Sequence, residues 1–191
     1  MSLQVEDVND EDLMVRVAEG DKSAFQQLTI RHGMRYRALA YRFLGDMARA
    51  EDLVQDAFVK VWTNADSFHG GKAKFTTWFH RVVVNRCLDE KRKRTLEQLP
   101  ENFDQVDQTA SVEALLEKDA VGKRLSRAIK VLSERQQTAV KLSYFDELSN
   151  QEAADVMGLK LKAYESLLVR SRTKMRQALA AEKTDLLSAL G

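Results

Sequence analysis

The residues of this chain that could do chemistry are cations set beside flat rings. Between Arg81 and Arg94, six basic residues (Arg81, Arg86, Lys91, Arg92, Lys93 and Arg94) oppose only Asp89 and Glu90, a net charge of +4. Phe75, Trp78 and Phe79 lie just upstream. This combination suits unpaired nucleic acid, because cations neutralise phosphate and each ring offers a base a stacking surface worth about 1–3 kcal/mol. The plainer reading makes the three rings ordinary core. A second basic run, Lys160 to Arg176, sets Lys160, Lys162, Arg170, Arg172, Lys174 and Arg176 against Glu165, a net of +5. Bond-making chemistry has no comparable set. His32, His69, His80 and Cys87 form no metal-ligand spacing, and no carboxylate cluster or activated nucleophile is visible. The expectation is a binding protein that is not an enzyme and needs no metal or cofactor.

Composition sets bounds on what must position these residues. At 191 residues the chain is long enough for one ordinary domain or two small ones, and 44% hydrophobic with 31% charged residues makes it globular. The formal net charge of +1 conceals the basic runs, because residues 96–119 carry seven acids against Lys118, a net of −6. One cysteine excludes an internal disulfide, and no signal peptide or long apolar run is visible. A cytoplasmic protein without membrane insertion is therefore expected. Eight glycines and one proline in a chain rich in Leu, Ala, Glu, Lys and Arg predict an all-helical fold.

The helices can be placed in order. Residues 1–9 read as frayed. Asp10, Glu11 and Asp12 open a helix that ends at Glu19-Gly20-Asp21, and a second runs from there to Gly45-Asp46. On the second, Arg31, Arg35, Arg37 and Arg42 read as an outward, solvated face. In the third, Leu53, Val54, Ala57, Phe58, Val61 and Trp62 form a wide apolar stripe at helical period. Asp52, Asp56, Val59 and Thr63 lie opposite, flanked by Gln55 and Lys60. That opposite face is either a solvated surface with a stray valine or an acidic docking surface with a small apolar centre. A loop over 64–71, holding the exposed-looking Phe68, leads to a helix beginning at Lys74 or Phe75. Four helices thus make a domain over about 10–95. The acidic stretch 96–119, with the single proline Pro100, reads as a flexible linker that either shields the basic modules or lies along a partner's positive channel.

A second helical domain, 120–182, follows. Ser133 with Gln136 and Ser149 with Glu152 form capping-box pairs, and Gly158 supplies a turn before a long helix from Lys160 to about Ala181. A short helix, a glycine turn and a longer basic helix make a helix-turn-helix, which reads either as a duplex DNA binder or as a charged packing hairpin.

Two blocks of sequence resemble a known family. The run Ala50-Glu51-Asp52-Leu53-Val54-Gln55-Asp56-Ala57-Phe58-Val59-Lys60-Val61-Trp62 is followed by Phe75-Thr76-Thr77-Trp78-Phe79 and Asn85-Arg86-Cys87-Leu88-Asp89. It resembles the first conserved domain of bacterial sigma factors, the extracytoplasmic-function (ECF) group above all. Leu132-Ser133-Glu134-Arg135-Gln136, Tyr144-Phe145, Glu152-Ala153-Ala154, Met157-Gly158-Leu159 and Arg170-Ser171-Arg172 resemble the same group's second domain. Together the blocks cover about 165 of the 191 residues. One departure is the absence of the serine cap and Thr-Val-Lys-Ser-Arg run common after the glycine turn; Lys160 and Ala163-Tyr164-Glu165-Ser166-Leu167 stand there instead.

What the resemblance implies is a transcription initiation factor with no catalysis of its own. Asp52, Gln55, Asp56 and Val59, with Trp62 at the edge, would dock on the clamp coiled coil of RNA polymerase core. Asn64, Asp66, Phe68, His69, Trp78, Arg81 and Arg86 would capture and hold the melted minus-ten strand of promoter DNA. Lys160, Lys162, Ala163, Tyr164, Glu165, Ser166, Arg170, Arg172 and Lys174 would meet the minus-thirty-five element, with Glu165 either repelling phosphate or accepting from a cytosine amine. An anti-sigma factor is the expected inhibitor. The alternative is a ligand-responsive helix-turn-helix regulator, which requires a large apolar pocket within residues 10–95.

Overall fold

The computed structural model describes residues 8–68, 74–97, 120–146 and 148–188. Eight α-helices account for most of them: α1 (Asp10–Ala18), α2 (Lys22–Leu44), α3 (Met47–Thr63), α4 (Phe75–Glu97), α5 (Ala120–Lys130), α6 (Glu134–Tyr144), α7 (Asn150–Val156) and α8 (Leu161–Ser188). A short 3-10 turn, Ala65–Ser67, lies between α3 and α4. No strand occurs among the described residues. The all-helical expectation holds. The proposed linker residues 98–119 and His69 lie outside the described residues.

Helix starts follow the local chemistry of the chain. Asn9, Asp21 and Asp46 each accept from backbone N–H groups of the first turns of α1, α2 and α3. Ser133 and Ser149 form reciprocal capping boxes with Gln136 and Glu152, as their three-residue spacing predicts. Gly45 ends α2 at φ 72°, a left-handed conformation that a side chain would strain.

The N-terminal helices close on an aromatic core. Tyr36 meets Phe79 edge-on at 4.5 Å between centroids, Phe79 lies 4.6 Å from Phe58, and Phe75 stacks on Phe79 at 5.4 Å. Tyr36, Phe75 and Phe79 are fully buried. The Tyr36 hydroxyl donates to the Thr76 carbonyl (2.9 Å) and lies 2.9 Å from His80 Nδ1. The same Nδ1 is 2.8 Å from that carbonyl, which can only accept, so Nδ1 carries the hydrogen. Burial pushes the His80 imidazole down to about 4, so it is neutral near pH 7. The α1 segment ties down both ends of this arrangement. Asp10 pairs with Arg31 and His32, and the Glu11 carboxylate accepts from the Phe75 N–H (2.8 Å), capping α4 from a distant part of the chain.

In the C-terminal half, α8 forms the spine against which α5, α6 and α7 pack. Ile129, Leu132, Leu142, Ala153, Ala154, Tyr164 and Leu168 are buried there. The two halves are also in contact, which the tethered-domain expectation did not anticipate. Helix α7 lies on α4, and the apolar cores run together. Arg42, expected on a solvated face, instead pairs with Asp146 across the halves because the end of α6 comes to rest over the end of α2. Arg31 and Arg37 do face outward but are held by Asp10 and Glu51.

The packing yields a stability contrast. Phe79→Ala is expected to lower unfolding free energy by about 3–5 kcal/mol, whereas Val59→Ala, on the exposed side of α3, should change it by less than about 0.5 kcal/mol. Chemical denaturation of the two variants checks both values.

Candidate nucleic-acid interface

Helix α3 carries a ridge that the core does not use. Leu53, Val54, Ala57, Phe58 and Val61 are buried, while Asp52, Gln55, Asp56 and Val59 are exposed, Val59 at 57%. Val59 is thus the apolar centre of an otherwise polar ridge. Two grooves flank it. One, of about 330 Å³, runs between α2 and α3 and is lined by Ile30, Met34, Gln55 and Phe58. Ile30 and Met34 are 74% and 75% exposed. The other, about 450 Å³, runs between α3 and α4 and is lined mostly by charged side chains, among them Asp52, Asp56, Lys60, Arg86 and Lys93. There Arg86 donates to Asp56 at 2.8 Å. Trp62 is half-buried, 5.2 Å from the Phe25 ring.

The loop after α3 is built to present polar groups from a fixed base. The Asn64 carbonyl accepts from both the N–H and the hydroxyl of Ser67, closing the 3-10 turn and leaving Asn64 and Asp66 exposed. Phe68 is not the free aromatic that the sequence suggested. It is half-buried, 5.6 Å from Trp78 and 6.2 Å from Phe75, because three rings packed together remove more apolar surface from water than one ring left in solvent. Trp78 is itself half-buried, and Arg81 is exposed. Phe75 and Phe79, by contrast, are core residues, as the plainer reading had it.

The helix-turn-helix consists of α7, the turn at Gly158 (φ 63°) and α8. Lys160, Lys162, Ala163, Glu165, Ser166, Arg170, Arg172 and Lys174 are all exposed. Tyr164 is a correction. It is fully buried, its hydroxyl donating to the Ala139 carbonyl (2.9 Å) and lying 2.6 Å from the Ser143 hydroxyl. Its place one helical turn before Leu168 puts it on the packed side of α8, so it anchors that helix to α6 and presents nothing at the exposed face. Ser166 is exposed, with its hydroxyl donating to the Lys162 carbonyl. Arg172 lies against Tyr144, which the sequence pattern gave no role at the site. Its Nε donates to the phenol oxygen at 2.6 Å and the guanidinium sits 5.6 Å from the ring centroid.

These surfaces define an all-helical, DNA-binding transcription protein with a helix-turn-helix in its second half. Residues 28–97 match Sigma-70 region 2, and residues 122–175 match Sigma-70, region 4. The chain is 31% identical over 175 residues to the ECF RNA polymerase sigma factor SigE of Mycolicibacterium smegmatis, covering 88% of this chain and 67% of that protein. It is 29% identical to SigW of Bacillus subtilis, covering 86% and 93%. Its fold is similar to that of CnrH, solved in complex with the cytosolic domain of CnrY, with a TM-score of 0.65 at 27% identity over 90% of this chain and 97% of that one. The chain belongs to the ECF RNA polymerase sigma factors.

If Tyr164 is an anchor, Tyr164→Phe should cost about 1–2 kcal/mol of stability through its lost buried hydrogen bonds. It should leave promoter sequence preference unchanged. Thermal melts paired with selection from a randomised minus-thirty-five library check the two halves of this expectation.

Proposed function

We propose that the α3 ridge is the surface on which this sigma factor binds RNA polymerase core, through the clamp coiled coil. The observation that carries the reading is the exposure of Asp52, Gln55, Asp56 and Val59 along one line of a helix whose other faces are packed. Charge gives such a surface partner selection and association rate, and the apolar centre gives it affinity. Bond formation belongs to the polymerase; this chain supplies binding energy and selectivity.

Promoter DNA is divided between two sites. Asn64, Asp66, His69 and the Phe68–Trp78 platform take an unstacked base of the minus-ten element, while Arg81 and Arg86 hold the strand's phosphates. Opening is driven by contacts available only to unpaired bases, which shift the duplex equilibrium toward the melted state. Helix α8 enters the major groove of the minus-thirty-five element. Lys162, Glu165 and Ser166 near its start read base edges, and Arg170, Arg172 and Lys174 hold phosphate. The stacking of Arg172 on Tyr144 fits the phosphate role, because it orients the guanidinium before DNA arrives. An anti-sigma factor that covers both halves is the inhibitor that fits two functional surfaces on one chain, since linked contacts reinforce each other. A ligand-sensing regulator would instead need a large apolar pocket in residues 10–95; the groove between α3 and α4 is lined by charge, and those lined by Ile30, Met34 and Phe58 and by Met14, Val15 and Phe68 are open to solvent.

Two substitutions test this division. Asp56→Arg should abolish binding to core, and with it run-off transcription, while shifting stability by no more than about 0.5 kcal/mol. Retained affinity for core in a folded variant would refute the docking assignment. Glu165→Lys should change which minus-thirty-five bases are preferred by about 1–3 kcal/mol per position. Uniformly tighter binding, with preference unchanged, would mean that α8 reads phosphate and shape alone.

A further inference from the structure

Helix α4 starts without a side-chain cap of its own. The Lys74 carbonyl accepts from the Trp78 N–H, which makes Lys74 the capping position, and a lysine side chain carries donors only. The first turn of α4 holds no acidic residue either. The Phe75 N–H, one of the donors that a helix start leaves over, is met instead by the Glu11 carboxylate at 2.8 Å. That carboxylate comes from 64 positions away, and it faces the positive end of the helix dipole. Its own helix does not need it, because Asn9 already caps α1.

The rest of α1 grips the same region. The Asp10 carboxylate lies 2.8 Å from His32 Nε2, and the His32 ring lies 5.3 Å from that of Phe75. Phe75 in turn underlies both rings of the stacking platform, 6.2 Å from Phe68 and 6.1 Å from Trp78. Farther along α1, Met14, Val15 and Ala18 share a groove of about 420 Å³ with Ala65, Asp66 and Phe68. A single nine-residue helix therefore touches both the 3-10 turn and the start of α4. The body of α4 is held independently, through buried Phe79 and the Tyr36 hydroxyl. Only its first turn depends on Glu11.

Resting on the strand-capture reading above, we propose that Glu11 is a positioning residue for minus-ten recognition. It acts through the start of α4 rather than on the strand itself. By fixing Phe75 it holds the Phe68–Trp78 platform at the angle that receives an unstacked base, and stacking is lost when two planes tilt apart. Releasing the Phe75 N–H should therefore weaken base capture before it weakens the fold.

The test uses the full chain bound to polymerase core. The probe is a single-stranded oligonucleotide with the non-template minus-ten strand of a promoter that the wild-type holoenzyme selects from a randomised library. Glu11→Ala should weaken oligonucleotide binding about tenfold, the scale of one lost hydrogen bond to a charged group, and leave affinity for core unchanged. Glu11→Gln keeps an acceptor at the same reach and should stay within about threefold of wild type, because only the charge is lost. Unchanged oligonucleotide binding in Glu11→Ala would overturn the proposal. So would equal losses of oligonucleotide and core affinity, which would make Glu11 merely structural. If Glu11→Ala fails to fold, Glu11→Asp decides, since it keeps the charge but draws the acceptor back by one methylene. It should bind the oligonucleotide more weakly than Glu11→Gln with core affinity intact; equal binding by the two refutes the positioning role. A wild-type holoenzyme that does not hold the oligonucleotide would instead count against the strand-capture reading, whatever the variants do.

Discussion

A phenol hydroxyl in a dry core must find a partner, and in this protein that requirement sets the rotation of α4. Tyr36 is fully buried on α2, and its hydroxyl reaches the Thr76 carbonyl and His80 at the start of α4. With those contacts made, Phe75, Phe79, Val83 and Cys87 turn inward. Arg81 is left exposed and Arg86 faces the groove toward α3. A helix rotated by one residue would leave the hydroxyl unsatisfied, at a cost of about 1–3 kcal/mol, and would bury a cation. The outward turn of Arg81 therefore follows from a core hydrogen bond. The inward Cys87 thiol shows the other side of the same geometry: burial pushes it up to about 12, so it is inert as a nucleophile.

Tyr164 repeats this logic in the second half. Its ring and hydroxyl lock α8 to α6, and the direction fixed in this way turns Lys162, Glu165 and Ser166 to solvent. In both halves a buried tyrosine with a satisfied hydroxyl decides which polar residues are left at the surface.

The ion pair between Asp56 and Arg86 joins two surfaces that the sequence kept apart, one assigned to protein docking and the other to DNA. Asp56 is 68% exposed, so the pair contributes little to stability. Its significance is geometric. It ties the exposed ridge of α3 to α4 across the groove between them.

Much of this protein was legible in its sequence, for reasons that are local. Helix identity came from apolar period, and helix starts came from Ser133 with Gln136, Ser149 with Glu152, and the acids around residue 10, because a cap is satisfied within one turn of chain. The split of α3 into a buried stripe and an exposed ridge was equally readable, since one helix face must be covered and the opposite face need not be. What could not be read were contacts between residues far apart in the chain. Tyr164 was placed among the base readers by resemblance, although its spacing to Leu161 and Leu168 already set it on the apolar side of α8; the partners of its hydroxyl, Ala139 and Ser143, lie 25 and 21 positions away and could not be read. Phe68 looked free until α4 placed Trp78 and Phe75 against it. Arg42 and Asp146 are 104 positions apart, and Lys141 and Arg42 are 99. No period, cap or motif couples residues at that distance. The sequence by itself determined the helices, their caps and their apolar faces, each settled within a few residues of chain. Tertiary structure alone decided which polar groups ended in the core and how the halves meet, because burial and pairing depend on what the rest of the chain brings alongside.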